Sequence, residues 1–268
     1  MAFNLNNFVI DRIVRGVALS QKDDSVLFSI NQIQNASLNC ASESTDAVDA
    51  LGTPIATFYR AKTAEFSAEN ALFDMNLMAT QLGTHKDIAG VTVPTITVPS
   101  METFNIPEGG KYVLRHTPNA APSEIYAIKD DSTFGEKFSK ATSAGEDTFA
   151  YSEADHSITL PTGLAVGTEM FVMYEYETDS AVEVVNSATN FPVGCKFIME
   201  VLGCDVCDQT NLVYAYVIFN NFKLSPDFDW SIATDGAHPF SGRAQQDYCD
   251  REKRLFSIVI PGEDKLMD

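Results

Sequence analysis

Cys204-Asp205-Val206-Cys207 is the one spacing in this chain that sets two chemically competent side chains on a single turn. Two thiolates at that separation can fill two corners of a zinc tetrahedron, or open and close as a redox pair. A structural zinc needs two further ligands, and the nearest candidates, Cys195 and Cys249, do not form a second Cys-x-x-Cys. The reading that asks least of the sequence is two inert thiols in a strand connection, with no metal and no cofactor. Cys204 and Cys207 stay the only candidate metal or redox ligands, and a metal- or thiol-dependent enzyme would have to rest on them.

The four histidines, His85, His116, His156 and His238, are scattered among turn and strand residues with no serine or cysteine motif beside them. Asp23-Asp24, Asp130-Asp131, Glu175/Glu177 and Asp227/Asp229 place carboxylates close together, as acid–base chemistry or a hard cation would require. Glu175 and Glu177 share one strand face, however, with Tyr174 and Tyr176 on the other, the pattern of a solvated face opposite a core face. Glycine-rich nucleotide loops, the His-Glu-x-x-His helix, the Gly-x-Ser-x-Gly elbow and the EF-hand loop are all missing. No enzyme is expected.

The elements that would position these residues are mostly strands. Phe8 to Leu19 reads as a strand or arm, and in Val26 to Cys40 the residues Val26, Phe28 and Ile30 fall on one face with period two. Turn chemistry at Ala50-Leu51-Gly52-Thr53-Pro54 leads into β-branched and aromatic Ile55 to Phe66, which predicts a hairpin. One helix is predicted, with Ser67 as N-cap, Glu69 in the first turn, Leu72, Met75, Met78/Ala79 and Leu82 at helical spacing, and Gly83 as stop.

Pro94, Pro99 and Pro107 then punctuate Val91 to Pro107, the composition of an extended linker. Beyond it, strands are predicted at Tyr112–His116, Glu124–Ile128, Thr148–Tyr151, Ser157–Leu160 and Glu169–Glu177, with turn signals between them, which suits a small Ig-like β domain. Longer strands return at Cys195–Leu202, Leu212–Leu224, Phe228–Ala233 and Leu255–Ile260. The run Leu212 to Phe219 is apolar on both parities and belongs in the middle of a sheet. The fold class is therefore mainly β: a sandwich with one flanking helix, residues 1–95 plus 186–268, split by an inserted Ig-like domain, residues 96–185.

Composition narrows the function classes. A net charge of −19 excludes affinity won by neutralising phosphates. Residues 101–185 hold 5 basic and 15 acidic side chains, so −10 of that −19 lies in the middle third. Five cysteines in a chain of this size suit reduced thiols. Asp11 and Arg12 interrupt any signal-like apolar core, and no apolar run approaches a membrane span, so synthesis and assembly in a cytoplasm with no membrane partner are expected.

Two stretches carry a family resemblance. The first is Ser37-Leu38-Asn39-Cys40-Ala41-Ser42-Glu43-Ser44 with Tyr59-Arg60-Ala61-Lys62-Thr63-Ala64-Glu65-Phe66-Ser67-Ala68-Glu69-Asn70-Ala71-Leu72, continuing into the helix that ends Ala79-Thr80-Gln81-Leu82-Gly83. The second runs from Phe222-Lys223-Leu224-Ser225-Pro226-Asp227-Phe228-Asp229-Trp230 to Phe240-Ser241-Gly242, with the closing strand Leu255 to Pro261. A strand pair, one helix on the sheet, a Ser-Pro-Asp strand and a terminal strand resemble the tail tube, or major tail, proteins of tailed bacteriophages. The middle domain departs from the minimal form.

The resemblance implies a virion structural protein that closes into hexameric rings and stacks into a hollow tail tube. Its partners would be further copies of itself and other phage tail proteins, with DNA passing through the lumen without specific binding. The middle domain would lie on the tube exterior. Candidate contacts are the N-terminal arm (Phe3 to Val17), the Asp46 to Thr57 loop and the C-terminal segment. A capsid decoration or auxiliary virion protein is the alternative within the same class.

Overall fold

The structure is a computed structural model and describes residues 7–234, 236–247 and 253–261. The chain gathers into two compact units, Met1–Lys86 with Val184–Asp268, and Asp87–Glu183. The first unit opens with strands β1 (Phe8–Ser20), β2 (Val26–Ile30), β3 (Ile33–Val48) and β4 (Pro54–Asn70) and helix α1 (Met75–Leu82). The second holds β5 (Asp87–Ile88), β6 (Ile96–Asn105), β7 (Lys111–Val113), β8 (Glu124–Ile128), β9 (Phe134–Ala141), β10 (Thr148–Ser152), β11 (Ser157–Thr159), β12 (Glu169–Thr178) and β13 (Val182–Glu183). The chain then rejoins the first unit as β14 (Gly194–Asp205), β15 (Asp208–Leu224), β16 (His238–Ala244) and β17 (Ser257–Val259). The protein is mainly β, with a single helix among the described residues.

In the first unit the strands lie in the order β2-β1-β14-β15-β16-β4-β3, with β17 also paired to β15. The apolar run of β15 is central, as its sequence predicts: β14 flanks it on one side, β16 and β17 on the other. Val213, Ala215 and Phe219 are buried on one face, while Tyr214, Tyr216 and Ile218 are half-buried on the other. The core is aromatic. The Phe66 ring lies 5.7 to 6.4 Å from the rings of Phe197, Phe219, Phe222 and Phe240, in the tilted and edge-on arrangements that the ring quadrupole favours.

The stretch Phe8 to Leu19, read as a strand or arm, is strand β1, which sits between β2 and β14 with Ala18 fully buried, and it makes up most of the Phe3 to Val17 contact candidate. Residues 3–6 of that reading lie outside the described residues. Two sequence readings are corrected here. The helix begins later than predicted. Ser67 and Glu69 continue β4, because Ala64, Phe66, Ala68 and Asn70 keep the period-two inward face that pairs with β16. Asp74 is the true N-cap, its carboxylate accepting from the Leu77 amide at 2.7 Å, and Gly83 at φ +69 closes the helix as expected. Finally, Phe228–Ala233 is a loop, with Trp230 stacked on Phe73. The strand comes later, at β16, where Gly242 leaves room for the Phe222 ring; a Cβ there would come within 2.5 Å of it.

In the second unit seven strands follow one hydrogen-bonded path, β6-β12-β8-β9-β10-β11-β7, with β9 and β10 parallel. An Ig sandwich holds two separately bonded antiparallel sheets, so this unit differs in form from the predicted insert. Its end strands meet through side chains. Phe104 of β6 stacks on Tyr112 of β7 at 3.7 Å, over a core that includes Ile125, Phe138, Phe149 and Met170. Strands β6 and β9 were not expected. The prolines that suggested a linker are tolerated because β6 ends the path and bonds only to β12, which leaves Pro99 with no ladder bond to break.

Candidate assembly surface

The cysteine pair is split between a buried strand position and an exposed turn. Cys204 is buried near the end of β14, whereas Cys207 is exposed in the two-residue turn that joins β14 to β15. The Cys207 amide donates to Asp205 Oδ1 at 2.8 Å, so Asp205 serves the turn. Cys195 lies nine positions from Cys204 along β14, roughly 30 Å at the rise of a strand. It is buried, its Sγ donates to the Phe222 carbonyl at 3.3 Å, and burial pushes its pKa up to about 12. Cys249 lies outside the described residues. Among the described residues no group of three or more His, Cys, Asp or Glu side chains is placed to hold a metal ion.

The histidines and acidic pairs do not converge either. His116 stacks on Tyr176, His156 Nδ1 lies 3.3 Å from Tyr151 Oη, and His85 is exposed. His238 is fully buried, with Nε2 2.8 Å from Gln81 Oε1 and Nδ1 facing the Asp74 amide at 3.5 Å, so it fastens the helix to the sheet. Burial lowers its pKa, against a smaller opposing pull from the Asp74 carboxylate. Asp23 and Asp131 are turn caps whose carboxyls are held below the usual range by bonds from Ser25 and Thr133. Glu175, Glu177, Asp227 and Asp229 are exposed.

Two buried acids went unnoticed in the sequence: Glu200, paired with Arg15 at 2.7 Å, and the deeper Glu102. Glu102 of β6 is 1% exposed and accepts from Tyr112 Oη at 2.8 Å, from the Arg115 amide at 3.1 Å and from Tyr174 Oη. Tyr174 Oη in turn accepts from the His116 amide at 3.0 Å. The carboxylate thus ties the two end strands of the second unit together. The signal was present: Ile96, Val98, Ser100, Glu102 and Phe104 share the inward parity of β6.

The outstanding surface feature is the β3–β4 ribbon. From Cys40 opposite Ala64 out to Val48 opposite Pro54 the two strands pair with each other, and between Glu43 and Arg60 every residue is exposed. Nine residues of strand reach about 30 Å. A bulge at its base sets Ala61 and Lys62 opposite Ser42, with Ala61 at φ +49, and such bulges bend a ribbon. The tip is well built. Asp49 Oδ1 accepts from the Leu51 and Thr53 amides at 2.8 Å each, which lowers the Asp49 pKa, and Thr57 Oγ1 donates to Asp46 at 2.7 Å.

Among the described residues that order serves no core. A two-stranded hairpin alone is marginal in water, and this one exposes Val48, Leu51, Ile55, Phe58 and Tyr59, Leu51 to 92%. Clustered exposed apolar side chains mark a surface that another protein covers.

The model of the YomU/Tube protein family matches residues 8–254, a span that takes in both units. The chain belongs to the YomU/Tube protein family. Membership makes this YomU/Tube protein a tube-like structural protein of a bacteriophage, assembling with itself and with other tail proteins in the virion tail. No curated protein matches the chain. Among the described residues no helix is long and apolar enough to cross a membrane. Of the surfaces predicted for assembly, the Asp46–Thr57 loop is the ribbon tip, and the sequence reading missed that the ribbon extends back to Glu43 and Arg60. The extreme C-terminal residues lie outside the described residues.

Proposed function

We propose that the chain is the tail tube subunit: it closes into hexameric rings that stack, in the host cytoplasm, into the channel through which phage DNA leaves. The first unit supplies the tube wall and the β3–β4 ribbon reaches a neighbouring subunit. The observation that carries this reading is the ribbon itself, an ordered and exposed apolar structure with nothing among the described residues to bury it. A sheet ending in β2 on one side and β3 on the other also presents two different edges, as a head-to-tail ring requires. With −10 of the −19 in residues 101–185 on the exterior, the remaining −9 keeps passing phosphates from sticking.

The test is negative-stain electron microscopy of the purified chain beside a variant in which residues 43–60 are replaced by a two-residue Asn-Gly turn. The wild type forms long hollow tubes of stacked rings, while the variant stays a folded monomer of unchanged melting temperature. Tubes of normal length from the variant would remove the ribbon from the assembly contact.

A further inference from the structure

A groove of about 590 Å³ lies at the foot of the ribbon, between the bulge of β4, the end of β16 and the segment that enters β17. Its walls are apolar at Ala64, Leu255 and Phe256, and its charged side chains are Lys62, Arg243 and Lys253, with no carboxylate among the lining residues. In a chain of net charge −19 this is an unusual concentration of positive charge. Arg243 is paired with Glu65 at 2.7 Å, but Lys62 and Lys253 have no ion-pair partner among the described residues. Gln246 Nε2, buried at the groove wall, donates to nothing among the described residues.

The ribbon tip has the opposite character. From Ser44 to Tyr59 its only charged side chains are Asp46 and Asp49, and its apolar residues Val48, Leu51 and Ile55 are more than half exposed. An apolar, doubly acidic tip complements an apolar, basic groove with a spare amide donor, and the groove volume is in the range that seats a small ligand or a turn.

We propose that this groove receives the ribbon tip of a second copy of the chain, with Asp46 and Asp49 facing Lys62 and Lys253 and Leu51 against Leu255 and Phe256. The inference rests on the tube reading and names the partner surface within it. Tip and groove are different patches, so the contact is heterologous and repeats from copy to copy, around a ring or from ring to ring. The bulge at Ala61 and Lys62 then serves two purposes, bending the outgoing ribbon and shaping the seat for the incoming one.

The test is a charge swap in the full chain, read by sedimentation and negative-stain microscopy, with thermal melts of each variant as the folding control. The groove variant K62E/K253E and the tip variant S44K/D46K change only exposed positions, and Asp49 is left in place because it holds the turn. Juxtaposed like charges should raise the critical concentration for tubes at least about tenfold in each variant. Combining all four substitutions in one chain should return it toward the wild-type value, because attraction is restored with its sign inverted. Wild-type assembly by both separate variants, or failure of the combined variant to recover, overturns the docking while leaving the tube reading intact. A wild-type chain that forms no tubes overturns both.

Discussion

Removing the Glu102 carboxylate tests whether one buried acid closes the second unit. Glu102→Ala leaves the Arg115 amide and the nearly buried Tyr174 hydroxyl without an acceptor, while half-buried Tyr112 can turn to water. An unsatisfied buried donor costs about 1–3 kcal/mol, and that cost falls on the Tyr174 hydroxyl, because Arg115 is an exposed residue and its amide adds less. Glu102→Gln keeps an acceptor and loses only the charge-assisted part, about 1–2 kcal/mol. Guanidinium unfolding of the full chain, followed by near-ultraviolet circular dichroism of the tyrosines, measures both. Trp230, the single tryptophan, belongs to the first unit, and its fluorescence midpoint should stay in place because the two cores are separate. Glu102→Leu combined with Tyr112→Phe and Tyr174→Phe should recover part of the loss, since the carboxylate and both hydroxyl donors disappear together while the Arg115 and His116 amides still lose their side-chain acceptors. Equal costs for the Ala and Gln variants, or a cost for Ala below about 1 kcal/mol, would refute the closing role.

Three further outcomes are expected. His238 has a folded pKa below its ordinary 6.5, so it favours the folded state above that value. Below it the unfolded chain takes up the proton first, and stability falls until the folded pKa is passed; the groups facing the ring are Asp74, Gln81, Phe73 and Phe228. His238→Gln should flatten the dependence of the Trp230 unfolding midpoint between about pH 7 and 5, and an unchanged slope would exclude His238 as its source. In the native chain a maleimide should label exposed Cys40 and Cys207 rapidly, leaving Cys195 and Cys204 for the denatured chain; fast native labelling of Cys195 would contradict its burial. Amides between Glu43 and Arg60 should exchange quickly in the monomer and become protected in tubes. Strong protection in the monomer would mean that the ribbon is held by its own chain.

Much of the first sheet was legible because its residues obey the strand period without conflict. Phe28 and Ile30 are buried on one face, and the doubly apolar run of β15 sits inside the sheet. The errors fall where two rules compete. Ser67 with Glu69 looks like a helix entry, yet Phe66, Ala68 and Asn70 still alternate inward, and pairing with two neighbouring strands outweighs local capping. Strand β16 was hidden because its inward positions include His238 and Gly242, residues chosen for a buried hydrogen bond and a close ring rather than for strand propensity. Glu102 was passed over because a lone acid among polar neighbours reads as solvated; only the parity it shares with Phe104 says otherwise.

The hairpin and its turn were legible in the sequence, but the reach of the exposed ribbon was not, for a different reason. Period-two reasoning works because a strand buries one face against its own chain, and Ser42-Glu43-Ser44-Thr45-Asp46 offers no apolar face to either side. What stabilises such a segment must come from the hairpin bonds, the Asp49 turn and a surface supplied by another molecule. An ordered turn that presents Leu51 to solvent makes sense only if solvent is not its final environment. The same logic separates the chain's two kinds of acid. Glu102 is buried within its own unit and acts on stability, whereas Asp46 stands exposed on the ribbon and can act on assembly without touching the fold. Substitutions at the two positions should therefore separate folding from polymerisation, which a family whose members must fold first and assemble afterwards requires.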